Sequence, residues 1–363
     1  MRLPATLLIA ILLFYCETVT RAQIRQSDQL AGQQTDQSSN QQTGKQAGQS
    51  PDDKMAAPLA ESRKLIMSGQ AKAAIEKLSG LPNQSDIRVI HLLGVAHYQI
   101  ADYAQAIGLL TQVWDNLPAN SPERKEAIEL LGTSHYLIGH VADSLPFLEQ
   151  AKAWATGNME LSFITGVAYI EGKQPAMARD SFARLFKAAP ESGSASLVTA
   201  LMMMRFKADA LAEAELKLAL EKDPKLAGTN FWLGQLMLRR GQYGEAIVLF
   251  EKELTVNPSN GMAYYLIGEA YTKQSKWDEA LSFLRKAIWL EPYFTESYVL
   301  LGKTYLNKKN FGLAETMLKR AIQFDRNNKQ AHYLLGQLYE QTGRVLEAKQ
   351  EFSTAESLPG ENK

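Results

Sequence analysis

The chain has 363 residues, 39 basic and 39 acidic side chains, and a hydrophobic share of 45% that suits a folded protein. Balanced charge argues against a nucleic-acid partner, which needs a basic face to neutralise phosphates, and gives no reason for docking on anionic lipid. The single cysteine, Cys16, leaves no disulfide and no thiolate metal site.

The predicted elements begin with a short basic start, Met1-Arg2, followed by an apolar run from Ala5 to Tyr15. That run is shorter than the about 20 residues a membrane span requires. With Thr20-Arg21-Ala22 as a cleavage site, residues 1–22 read as a secretory signal peptide. The mature chain is then secreted or periplasmic, free of cysteine and without a membrane span. An uncleaved signal anchor that tethers the protein to the membrane is the alternative.

Residues 23–52 contain ten glutamines, and only Ile24 and Leu30 are large and apolar. Such a segment cannot bury enough surface to offset its ordering entropy, so a disordered Gln-rich linker is expected. It would span roughly 30 Å as a flexible coil, as a spacer or as a segment that contacts a partner. Residues 53–86 read as a degenerate helical hairpin around the turn Ser68-Gly69-Gln70.

From residue 87 to 361 the sequence repeats. A small residue recurs every 34 positions at Gly132, Gly166, Ala200, Gly234, Gly268, Gly302 and Gly336, and Gly94 precedes the series by 38. Twelve positions after each anchor stands Ala or Ser, from Ala106 and Ser144 to Ala348. Sixteen after it stands Leu or Phe: Leu110, Leu148, Phe182, Leu216, Phe250, Leu284, Leu318 and Phe352. Prolines close five of the eight units, at Pro118, Pro190, Pro224, Pro258 and Pro292. Each unit therefore holds two amphipathic helices joined by a short polar turn such as Arg240-Gly241-Gln242. The anchor glycine and the alanine column let the two helices approach, and the Leu/Phe column is expected to fill the space between neighbouring pairs. One hairpin cannot bury its apolar face alone, so hairpins stack.

These columns resemble the tetratricopeptide repeat family, for which a 34-residue period is the hallmark. The clearest unit runs from Gly261 to Pro292, with Tyr264, Gly268, Tyr271, Trp277, Ala280 and Ala287. The resemblance implies an all-α fold, a right-handed α-solenoid of eight repeats over 87–361, and says little about the ligand, because the fold hosts many partners. The unit anchored on Gly132 departs from the pattern with Ser144, that on Ala200 is methionine-rich, and four extra residues near Asn120-Ser121-Pro122 lengthen one connection.

No motif carries catalysis. There is no phosphate-cradling glycine loop, nucleophile elbow or paired zinc-helix histidines, so no enzyme activity, cofactor or metal is expected. The histidines His97 and His135 fall in a column otherwise held by Tyr169, Tyr271, Tyr305 and Tyr339, and read as packing residues.

A solenoid of this kind presents the first helix of each unit on its inner face. Three positions before the anchor the column reads Phe163, Leu197, Phe231, Tyr265, Val299 and Tyr333 from the third unit on, with Trp232 beside Phe231; five after the anchor come Arg205, Arg239 and Lys273. Aromatic anchors and a basic row suit an extended peptide with hydrophobic and acidic groups. The family's two-carboxylate clamp for peptide C-termini uses asparagines that the column after the anchor lacks. Three functions stay open: a protein-binding scaffold outside the cytoplasm, a module that self-assembles through its array ends, and an accessory to polysaccharide export or binding.

Overall fold

The computed structural model describes residues 51–359, with side chains from Met55. The expected signal peptide and residues 23–50 of the expected linker lie outside the described residues. Among the described residues every regular element is an α-helix. In chain order these are α1 (Pro51–Met67), α2 (Ala71–Ser79), α3 (Ile87–Gln99), α4 (Tyr103–Leu110), α5 (Pro122–Leu137), α6 (Val141–Ala151), α7 (Met159–Glu171), α8 (Pro175–Leu185) and α9 (Gly193–Arg205). Then follow α10 (Asp209–Lys222), α11 (Thr229–Arg239), α12 (Tyr243–Val256), α13 (Gly261–Lys273), α14 (Trp277–Leu290), α15 (Thr295–Asn307), α16 (Phe311–Phe324), α17 (Lys329–Gln341) and α18 (Val345–Ser357). The fold is an all-α solenoid of helical hairpins.

The chain divides into two units. Unit 1 runs to Glu191 and includes Leu201–Leu211; unit 2 comprises Ser192–Ala200 and the chain from Ala212 on. In unit 1 the hairpins α1/α2, α3/α4, α5/α6 and α7/α8 follow one another, and the first helices also touch in the order α1, α3, α5, α7. Unit 2 repeats this with α11/α12 to α17/α18, and the first helices α13, α15 and α17 touch in turn.

Each hairpin turns by the same device. Seven residues after the anchor the backbone is left-handed in every repeat, at Ala101, Gly139, Lys173, Lys207, Gly241, Ser275, Lys309 and Gly343. The next residue's N–H then donates back to the carbonyl of the helix's last turn, as in Gln242 to Met237 (2.9 Å) and Lys276 to Tyr271 (2.9 Å). This closes the helix end by satisfying a carbonyl that has lost its helical partner. The second helix starts on the following residue.

The anchor glycines make the hairpins tight. A β-carbon built on Gly94, Gly166, Gly268 or Gly302 would stand 2.6–2.7 Å from the side chain of Leu110, Phe182, Leu284 or Leu318. The Leu/Phe column therefore packs inside its own hairpin, against its own anchor, rather than only between neighbouring hairpins as the sequence reading had it. The Cβ vectors decide this: the second helix folds back antiparallel, and the side chain sixteen positions on points at the bare glycine. Except for Phe352, the column is fully buried, each side chain contributing about 1.5–3 kcal/mol of transfer free energy. The alanine column twelve positions after the anchor is buried as well, with Ser144 hydrogen-bonding the Val141 carbonyl (2.7 Å) where the others carry alanine.

Candidate functional site

All eight candidate binding residues lie on first helices. Phe163 is on α7, Arg205 closes α9, Phe231, Trp232 and Arg239 are on α11, Tyr265 and Lys273 on α13, and Tyr333 on α17. The three cations each occupy the last residue of their helix, where a positive charge is stabilised by the helix dipole and the free carbonyls. Their side chains are exposed. Phe163 and Arg205 belong to unit 1, the other six to unit 2.

The aromatic column is half structure and half surface. In unit 1, Phe163 packs at 6.3 Å from Phe182 and 6.4 Å from Phe206. In unit 2, Phe231 meets Phe250 at 5.9 Å and Trp232 edge-on at 5.4 Å, Tyr265 meets Phe294 edge-on at 5.0 Å, and Tyr333 meets Phe352 at 5.6 Å. Phe163, Phe231, Trp232 and Tyr265 are half-buried, and Tyr333 is 50% exposed. Leu197 and Val299 of the same column are buried. Among the candidates, Phe231 and Trp232 form one contiguous pair; the other rings contact partners elsewhere in their units.

Electrostatics sharpen the picture at Tyr265. Burial, then the carboxylates of Glu269 and Glu296, push its phenol pKa up. The hydroxyl stays protonated and can donate a hydrogen bond, and the neighbouring carboxylates make this stretch mixed in charge rather than purely basic. In unit 1 the same column carries His91 and Glu129. His91 is buried, its Nε2 3.4 Å from Glu126, which also pairs with Arg63 at 2.7 Å. Glu129 accepts from the Trp154 indole at 2.7 Å. Burial pushes the His91 pKa down and the Glu129 pKa up, and both side chains serve the core.

Sequence reading missed two exposed aromatics. Trp289 is 71% exposed near the end of α14, and Tyr293 is 79% exposed just after it. The equivalent positions of the other repeats hold Asp115, Ala153, Lys187, Glu221, Thr255, Gln323 and Ser357 for Trp289, and small or polar residues for Tyr293. A lone aromatic in a polar column was the signal. Lys286 lies over the Trp289 ring at 4.1 Å, and Tyr293 meets Phe324 at 5.7 Å.

Tetratricopeptide repeat family models match residues 165–227, 271–338 and 329–362. This chain is a tetratricopeptide repeat protein. Residues 206–287 also match the model described as anaphase-promoting complex, cyclosome, subunit 3. Tetratricopeptide repeats are generally non-enzymatic modules of protein interaction, and a protein-interaction role follows for this repeat array. No curated protein matches the chain. Among solved structures, it is similar to crystal structures of MamA, at 26% identity over 42% of this chain and 89% of that one, with a TM-score of 0.40. It is also similar to YrrB, described as a TPR protein with an unusual peptide-binding site, at 23% identity over 50% and 91%, TM-score 0.43. The C-terminal part of a TPR repeat-containing protein from Cytophaga hutchinsonii is similar at 16% identity over 65% and 96%, TM-score 0.45. Among the described residues no helix is long and apolar enough to cross a membrane.

Proposed function

We propose that this protein is a non-enzymatic scaffold outside the cytoplasm that binds an extended protein or peptide segment along the first helices of unit 2. The observation that carries the reading is the incomplete burial of Phe231, Trp232, Tyr265 and Tyr333 on helices whose core-facing side chains, Leu233, Leu236, Leu266, Ile267, Leu334 and Leu335, are buried. Half-buried aromatics are pre-ordered by the core and offer contact area at little further entropy cost. Arg239 and Lys273 at the helix ends suit acidic groups in the ligand, and the Tyr265 hydroxyl suits a carbonyl. The location rests on the signal-like residues 1–22. Affinity capture from an envelope fraction, run with the wild type and with Arg239→Glu, tests the reading. The variant recovers less of the same partner at an unchanged melting temperature; equal recovery would count against it.

A second reading, self-association, is favoured by Leu346. Ten positions after the anchor the residue is exposed in every repeat, and seven of the eight are Ala, Gly or Asp; the eighth is Leu346, 83% exposed beside Val345 at 56%. Both start α18, the last described helix. Light scattering across a concentration series decides between the readings: mass that rises for the wild type and not for Leu346→Glu supports self-association, and a constant monomer mass removes it.

A further inference from the structure

Three columns of each repeat meet at the hairpin turn: three, eight and eleven positions after the anchor. The Schellman-type turn places the first at the end of one helix, the second just before the next, and the third one turn into it. The last repeat shows this plainly. There Arg344 lies 3.9 Å over the Tyr339 ring and pairs with Glu347. In the Gly268 repeat Lys276 lies 5.9 Å over Tyr271, and in the Gly94 repeat His97 Nδ1 is 3.0 Å from Asp102. The fold thus juxtaposes these positions whatever residues occupy them.

In the Gly132 repeat all three are metal-ligating types: His135, His140 and Asp143. One ligand atom from each lies within 4.8 Å of the other two. The His135 and His140 rings are 6.1 Å apart, and His140 Nδ1 is 3.9 Å from Asp143. His135 is held against Phe147, ring on ring at 5.9 Å, and its Nδ1 is buried without a hydrogen-bond partner. His140 and Asp143 are 58% and 68% exposed at the side chain, so both can rotate to close the separations to those a tetrahedral ion requires, with ligand bonds of about 2.0–2.2 Å.

We propose that His135, His140 and Asp143 bind a divalent zinc-class ion, with water completing the coordination. Two imidazoles and one carboxylate are a zinc donor set, and the spacing H-x4-H-x2-D becomes a site only once the turn folds. The ion would tie the end of α5 to the first turn of α6. That is the repeat with Ser144 in the alanine column and with Pro146 inside α6, so the clamp sits where the hairpin departs most from its neighbours.

Titration of the full chain with Zn2+ alone, by calorimetry and by competition with a chromophoric chelator, tests this. His140→Gln and Asp143→Asn are the variants, since both side chains are exposed and the chelated variants should keep the wild-type melting temperature. The expected result is one saturable equivalent for the wild type, weakened at least roughly tenfold in each variant, given that even outer-shell partners of metal ligands cost about that. Zinc should raise the wild-type melting temperature and leave the double variant unmoved. Absence of saturable binding, or equal binding by the double variant as by the wild type, overturns the proposal; in the second case zinc is held elsewhere, with His332 and Glu351 (2.6 Å apart) the next residues to substitute.

Discussion

The ring of Phe250 lies against Gly234 so closely that a β-carbon on that glycine would stand 2.8 Å from the ring's Cε1. Both residues are buried in one hairpin, and neither has room to yield. Gly234→Ala should therefore destabilise by about 1–3 kcal/mol, the usual cost of overpacking a core. Gly108→Ala is the contrast, in the last turn of α4 with nothing within 4 Å of a new β-carbon. It should stabilise by roughly 0.5–1 kcal/mol through reduced freedom of the unfolded chain. Denaturant unfolding of the two variants beside the wild type checks both signs.

The turn column offers a second contrast. Ser275 holds a φ of 57° where Gly241 holds 74°. A left-handed serine carries a steric cost of roughly 1–2 kcal/mol that glycine avoids, partly offset by the freedom glycine loses on folding. Ser275→Gly should raise stability by several tenths of a kcal/mol to about 1 kcal/mol, and Gly241→Ser should lower it by a similar amount. Melting temperatures of the pair provide the check.

Acid should loosen the last repeats through Glu315. Burial alone would raise its carboxyl, but hydrogen bonds from Lys319, Arg344 and Tyr339 outweigh it and hold the group at about 2, below its ordinary 4.5. A carboxyl depressed by folding lends stability that is full above the unfolded value and is lost as pH falls toward the folded one. Wild-type stability should drop between pH 4.5 and 2, and Glu315→Gln should be less stable at pH 7 and flatter through that window. Parallel pH profiles of the melting temperature show it.

Glu253 should behave in the opposite sense. It stands in a column that carries alanine in Ala151, Ala219, Ala287, Ala321 and Ala355, and only 1% of it is exposed. Its Oε1 accepts from the Gly228 N–H at 2.8 Å, at the start of α11, and its Oε2 has no hydrogen-bond partner. Burial pushes its pKa up, against the backbone N–H groups of Gly228 and Phe231. A carboxyl raised by folding binds its proton more tightly in the native state, so this group favours folding more as pH falls below the raised value. Glu253→Gln should be more stable than the wild type at pH 7, with the difference narrowing under mild acid.

How much of this was legible beforehand follows from what periodicity encodes. The 34-residue spacing fixed which residues share a column, and Gly268, Ala280 and Leu284 sit as a tight hairpin requires. Periodicity does not say which neighbour a column faces, so Leu284 against Gly268 in the same hairpin emerged only from the packing. The spacing of Phe163, Phe231 and Tyr265 points to a groove, and their half-burial shows that the core claims one side of each ring. Glu253, Trp289 and the His135–His140–Asp143 group are departures within single columns. A reading that averages over repeats passes over such residues, and their environment depends on turns that bring distant positions together.

The account's central claim is that the first helices of unit 2 bind an extended segment. A display library of linear peptides selected on the wild-type chain tests it most directly. Selected peptides should carry apolar side chains with acidic ones, and should lose affinity for Tyr333→Ala and for Lys273→Glu while both variants melt as the wild type does. Peptides that bind both variants as well as the wild type, or a selection that enriches none, would contradict it.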